Sequence, residues 1–162
     1  MIFGLTTFTF VHVVISVVGI IAGFVVIYGF VMGERFDGWN ALFLILTLAT
    51  SVTGFFFPRN GVTPAQIVGA ISIVVLIVAM LARYPLRLSG AARWIYVLTA
   101  LFAQYMNFAV LIIQSFQKVP SLKALAPTQS EPPFLAAQGA ALVLFVVFGI
   151  FSVRNSGRGA HA

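Results

Sequence analysis

The chain has 162 residues, of which 61% are hydrophobic and 7% charged, with nine Lys and Arg against three Asp and Glu. Soluble domains carry about 25% charged residues, so this composition excludes an ordinary water-soluble fold. Cysteine is absent, which excludes disulfides, thiolate metal sites, iron–sulfur clusters and cysteine nucleophiles.

The net charge of +6 does not point to nucleic acid. The basic residues stand at the ends of apolar runs, not as a patch on a folded surface, and no room is left for a nucleic-acid module. Five runs, 5–32, 40–57, 65–82, 94–116 and 134–153, contain no Asp, Glu, Lys or Arg. Each is long enough, as a helix, to cross about 30 Å of hydrocarbon. The predicted fold is all-α: one integral membrane domain of five transmembrane helices, with the lipid bilayer as its solvent.

The first run lacks a basic leader and lasts about 28 residues, so it reads as a permanent helix, not a cleaved signal. At 1.5 Å per residue it would reach about 42 Å and must tilt or protrude. Thr9, His12, Ser16, Gly19 and Gly23 are spaced 3, 4, 3 and 4, which places them on one stripe. Gly19 and Gly23 form a GxxxG element that lets another backbone approach, within the bundle or across a homodimer. His12 is the one histidine inside a span. An ionisable group there is either a functional contact to ligand, proton, haem or metal, or a structural partner of a nearby Thr or Asn.

A loop over 33–39 leads to helix 2, where Thr47, Thr50, Ser51 and Gly54 share one side. This helix is short enough that a re-entrant hairpin with helix 3 is the alternative to a full span. The turn 58–61 is tight, so helices 2 and 3 are expected as antiparallel neighbours. Thr63 followed by Pro64 is the signature of an N-cap and first helical residue. Helix 3 brings Gln66, Gly69 and Ser72. The basic loop that follows carries Arg83, Arg87 and Arg93, which serve as topology signals or as an anionic-lipid site.

Helix 4 carries a second stripe, Gln104, Asn107, Gln114 and Lys118, with Leu111 in the same row and Tyr105 and Met106 beside it. Carboxamides in hydrocarbon must be paired, so this face is expected to point inward. The connection 117–133 is rich in proline. A short interfacial helix between Pro120 and Pro127 is expected, as a surface linker or a lid. Helix 5 adds Gln138 with Gly139 nearby.

Loop charges set the orientation. Arg35, Arg83, Arg87, Arg93, Arg154 and Arg158 fall on one side, and Arg59, Lys118 and Lys123 on the other. The first side is expected in the cytoplasm, with the N-terminus outside. Trp39, Trp94, Tyr28, Tyr84 and Tyr96 fall near that inner interface, where amphipathic rings belong. Measured inward, His12, Thr50, Ser72 and Asn107 share a depth of about 10–14 Å, with Gln66, Gln114 and Gln138 above them. The sequence therefore predicts an outward-opening polar layer built from His12, Ser16, Thr50, Ser72, Gln104, Asn107, Gln114 and Gln138.

The acids Glu34, Asp37 and Glu131 all lie in loops. A pump with an intramembrane carboxylate relay is therefore not expected. HExxH, Walker and GxSxG motifs are missing, and no metal site or particular cofactor is specified. A bis-histidine haem is impossible within one chain, because His161 lies in the polar tail; His12 with Met106 or Met80 is the remaining pair.

Residues 51–58 (Ser51-Val52-Thr53-Gly54-Phe55-Phe56-Phe57-Pro58), Arg93-Trp94-Ile95-Tyr96-Val97 and the segment 125–134 resemble a family of small multi-pass bacterial inner-membrane proteins to which no activity is attached. The resemblance implies a bacterial inner membrane and nothing about catalysis. The expected function is non-catalytic: an accessory subunit of a membrane complex, or a binder of an apolar small molecule such as a quinone or lipid. A small channel or facilitator for a neutral solute or metal ion is the alternative, and a haem or quinone redox subunit the third reading.

Overall fold

The computed structural model describes residues 6–58 and 61–156; Leu5, Arg59, Arg158 and His161 fall outside them. Its elements are α1 (Thr7–Met32), α2 (Asp37–Thr53) continued by a 3-10 turn (Gly54–Phe56), α3 (Pro64–Arg83), α4 (Ala91–Lys118), the short α5 (Pro120–Leu125) and α6 (Pro132–Ser156). Strands are absent among the described residues. Five of the helices are long and apolar enough to cross a membrane, as in a multi-pass membrane protein.

Helix ends follow local chemistry. Thr6 caps α1, its hydroxyl accepting from the Thr9 N–H at 3.2 Å. Gly33, at φ 75°, closes α1. Its N–H donates to Phe30 O while the Glu34 N–H donates to Gly29 O, the paired bonds of a Schellman motif. The Thr63–Pro64 signature opens α3 as expected. It extends to a full capping box, the Thr63 hydroxyl accepting from the Gln66 N–H and the Gln66 carboxamide oxygen from the Thr63 N–H.

Three helices run further than the apolar runs suggested. The α2 helix starts at Asp37, whose carboxylate suits the positive end of a helix. The α4 helix takes in Ala91–Lys118, and α6 takes in Pro132–Ser156. Hydropathy marks where a helix is buried in lipid, whereas caps decide where it ends.

The five long helices form a ring in the order α2, α1, α6, α4, α3, closed by α2 against α3, with α1 and α4 also meeting across the middle. The connection between α2 and α3 makes them antiparallel neighbours. Buried positions recur at 3 and 4 residues: Asn40, Phe43, Leu44 and Thr47 on α2, and Ser72, Leu76, Ala79 and Ala82 on α3. On α1 the buried residues run from Gly19 to Phe30, and none lies nearer the start of the helix. The core therefore occupies the half of the bundle that ends at Met32, Asp37, Arg83 and Ala91, here called the arginine end. Around Thr7, Thr53, Pro64 and Lys118 the helices separate.

Tyr96 departs from its expected interfacial position. It is buried in the core, donating its hydroxyl to Asn40 Oδ1 and packing edge-on against Phe30. Asn40 Nδ2 in turn donates to Phe36 O at 2.7 Å. A phenol that finds a carboxamide gains more inside than at the headgroups. Tyr28, Trp39 and Tyr84 do stand exposed at this end.

Candidate functional site

The separation of α1, α2, α3 and α4 leaves a cavity of about 360 Å³. Its walls follow from the stripes. From α1 come Thr9, His12, Val13, Ser16, Val17 and Ile20, and from α2 and its 3-10 extension Thr50, Ser51, Gly54 and Phe55. From α3 come Gln66, Val68, Gly69 and Ser72, and from α4 Met106, Asn107, Val110, Leu111, Gln114 and Lys118. The lining is mainly apolar with a few convergent polar groups, the usual make-up of a small-molecule site. Among the described residues, Lys118, at the mouth, is its one charged side chain, and no acid lines it.

Three of the lining serines are already committed within their own helices. Ser16 donates to His12 O at 2.6 Å, Ser51 to Thr47 O at 2.9 Å and Ser115 to Leu111 O at 2.8 Å. Such back-bonding satisfies a hydroxyl without a neighbour. His12 Nδ1 lies 2.8 Å from Thr53 Oγ1. The Thr53 hydroxyl hydrogen is directed at Ala49 O, 2.7 Å away. A hydroxyl has one hydrogen, so with Thr53 donating to Ala49 O the bond between the two side chains is made by an Nδ1–H of His12. Phe57 packs edge-on against the same imidazole, ring centroids 4.9 Å apart.

Two polar atoms differ from the rest. Thr50 Oγ1 and Asn107 Nδ2 are buried without a hydrogen-bond partner, and both residues line the cavity. A buried donor left unpaired costs about 1–3 kcal/mol. Both atoms are therefore poised to donate to an acceptor placed in the cavity.

Of the residues predicted to form the polar layer, the structure brings His12, Ser16, Thr50, Ser72, Asn107 and Gln114 to this cavity. Gln104 and Gln138 are used elsewhere. Gln104 is fully buried and donates Nε2 to Ile20 O at 2.8 Å, tying α4 to α1 beneath the cavity. Gln138 donates Nε2 to Ala109 O at 3.2 Å, tying α6 to α4. Both satisfy themselves on a neighbouring backbone carbonyl, an option that depth alone does not reveal.

Gly19 and Gly23 serve contacts inside the chain. A Cβ on Gly19 would come within 3.3 Å of Leu46 Cβ, and one on Gly23 would land 2.1 Å from Gln104 Oε1. The α5 helix forms as expected, but it packs on α4; of the connection beyond Lys118, Val119 reaches the cavity rim and no α5 residue does. Of the three arginines of the basic loop, Arg83 and Arg93 border one small cavity and Arg87 does not. Arg83 pairs with Asp37 and lies over the Tyr96 ring at 5.2 Å. With Arg35 and Arg93 it borders a second cavity of about 40 Å³ at the arginine end. Arg87 stands apart in an exposed turn at φ 50°.

Sequence reasoning missed Thr53, Phe57 and Asn40. Thr53 and Phe57 were within reach of it, since a histidine in a span needs a partner at its own depth and both sit at the matching end of helix 2. Asn40 opens the second apolar run, and Asn40, Phe43, Leu44 and Thr47 make an unbroken inward stripe. Comparison with protein-family models, curated proteins and solved structures finds no match.

Proposed function

We propose that this chain is a non-catalytic protein of a bacterial inner membrane that binds a lipid-soluble small molecule, of quinone or lipid type, in the cavity between α1, α2, α3 and α4. The observation that carries the reading is the pair of unpartnered donors, Thr50 Oγ1 and Asn107 Nδ2, on mainly apolar walls. An occupant with a hydrogen-bond-accepting head would satisfy both, and its apolar body would match the valines and Phe55. No general acid or base pair accompanies them, which favours binding over catalysis.

A facilitator needs a continuous path. Leu44, Leu76, Ala79 and Ala103 are fully buried beneath the cavity, and the two cavities share no lining residue. A closed floor favours a binder. The exposed Val143, Val146 and Ile150 on α6 form a face open to lipid or to another subunit.

Native mass spectrometry after gentle extraction tests the reading. The wild-type protein is expected to retain a hydrophobic molecule. Thr50→Val and Asn107→Leu should each weaken retention about tenfold, the factor for about 1.4 kcal/mol. A protein released with an empty cavity, or variants that retain as much as wild type, would refute it. The same spectrum reports co-purifying subunits, and a Soret band in the visible spectrum would favour the haem reading through His12 and Met106.

A further inference from the structure

Four helix seams surround the cavity, and three of them are sealed. Between α1 and α2, His12 is bonded to Thr53, while Phe57 packs on Phe8 with ring centroids 4.9 Å apart. Between α2 and α3, the Phe55 ring and the Ser51 carbonyl lie against Gly69, at 3.3 and 3.6 Å from where its Cβ would be. The α3 and α4 helices pack along one another, and at the cavity Val68, Ser72, Met106 and Val110 are all buried or half-buried.

The seam between α1 and α4 differs. The two helices are joined by the bond from Gln104 to Ile20 O and by the edge-on contact of Phe24 with Phe108. Further toward the cavity mouth the facing stripes continue uncovered. On α4, Gln104 is 0% exposed, but Leu111, seven residues on and on the same side, is 36% exposed. On α1, Phe24 is half-buried, but Val17, seven residues back, is 41% exposed and Val13 is 42% exposed. All three residues also line the cavity. Phe55 is also cavity wall and 41% exposed, but its ring lies in the α2–α3 seam against Gly69; at Val13, Val17 and Leu111 cavity wall and outer surface meet at an opening.

The α6 helix does not cover this opening. It meets α1 through Phe145 against Phe24 and Asn155 against Val31, both on the arginine-end side. Nearer the mouth it stays on α4, through Gln138 to Ala109 O and Phe134 against Phe116. No α6 residue lines the cavity.

We infer that the cavity opens sideways to the acyl chains through a window framed by Val13, Val17 and Leu111. Its occupant is an amphiphile that enters from the bilayer, with its accepting head at Thr50 and Asn107 and its tail left in the window. An apolar frame suits a chain already dissolved in lipid, since passing it exposes no polar group to hydrocarbon. The inference rests on the cavity being a ligand site, and the two can fail separately.

The absence of cysteine allows a single fluorophore to be attached at Val110→Cys, on the cavity wall. A second protein carries it at Val143→Cys, on the outer surface of α6. Both are reconstituted into vesicles of phosphatidylcholine with brominated acyl chains. Bromine is expected to quench both fluorophores, and Val17→Trp is expected to abolish quenching at position 110 while leaving position 143 unchanged. Leu111→Trp, on the opposite side of the frame, should act alike and guards against a folding defect in either variant. Quenching at 110 by aqueous iodide but not by bromine, or bromine quenching that survives both Trp variants, would overturn the window. A protein that retains a molecule on extraction yet is not quenched at 110 loses only the window. One that is quenched there yet retains nothing keeps the window and loses the ligand reading.

Discussion

Gly23 and Gln104 occupy one space. The Gln104 carboxamide stands where any Gly23 side chain would begin, and its Nε2 donates to Ile20 O one turn away. A methyl group at position 23 must therefore push the carboxamide off its carbonyl. Interhelical hydrogen bonds in membranes average about 0.6 kcal/mol and overpacking adds about 1–3 kcal/mol, so Gly23→Ala is expected to destabilise by about 2–4 kcal/mol. In a Gln104→Ala background the same change should cost clearly less, because the conflicting atoms are gone. Unfolding in detergent across the four proteins of this cycle measures the coupling, and equal costs in both backgrounds would disprove the pairing. The GxxxG element is thus legible in sequence as a close approach, while the identity of the approaching group, one side chain from α4, is not.

The start of α6 shows how one residue organises an element. The Glu131 backbone carbonyl accepts from the Phe134 and Leu135 N–H groups, which begins the helix. Its carboxylate accepts from the Thr128 N–H and hydroxyl and from the Ser130 N–H, at 2.9–3.0 Å. Desolvation alone would raise its pKa, but these bonds hold it below the ordinary 4.5. A depressed folded-state pKa means that the contribution is complete above the ordinary value and is lost as pH falls through the depressed one. Amide-exchange protection of Thr128 and Ser130 is therefore expected to be constant at neutral pH and to decline below the usual glutamate range. Glu131→Ala should lower it at neutral pH and abolish its decline in acid. Protection that ignores acid in the wild-type protein would contradict this account. The loop is further pinned to α4 by Gln129, which donates to Ile113 O at 2.9 Å.

At the scale of the molecule, packing is uneven: one half holds the core and the other holds a cavity. The dense half coincides with the end that carries Arg35, Arg83, Arg87 and Arg93. Among the described residues, Arg35, Arg83, Arg87, Arg93 and Arg154 belong to that end and Lys118 and Lys123 to the other, an excess that predicts that it faces the cytoplasm. Single cysteines at Ser89 and Ser121, at opposite ends and both exposed, test this in whole cells. An impermeant maleimide should label position 121 in intact cells and position 89 only after permeabilisation. The reverse pattern would invert the orientation and turn the cavity mouth inward.

Length and charge of the apolar runs were enough to predict five helices and an all-α bundle, because the demand that lipid-facing backbone bond to itself leaves few alternatives. The Thr63–Pro64 cap and the helix between Pro120 and Pro127 were legible for a similar reason, being local rules of backbone geometry. The meeting of His12, Thr50, Ser72 and Asn107 was approached through depth, which sequence encodes at 1.5 Å per residue. Rotation about each helix axis and the choice of neighbour are not encoded so directly. Gln104 and Gln138 share the polarity of the cavity residues yet bond to backbone carbonyls, and Tyr96 turns inward to Asn40. Those outcomes, together with the uncovered seam between α1 and α4, depend on which helices touch and where they part. That is decided by the simultaneous fit of side chains from distant parts of the chain.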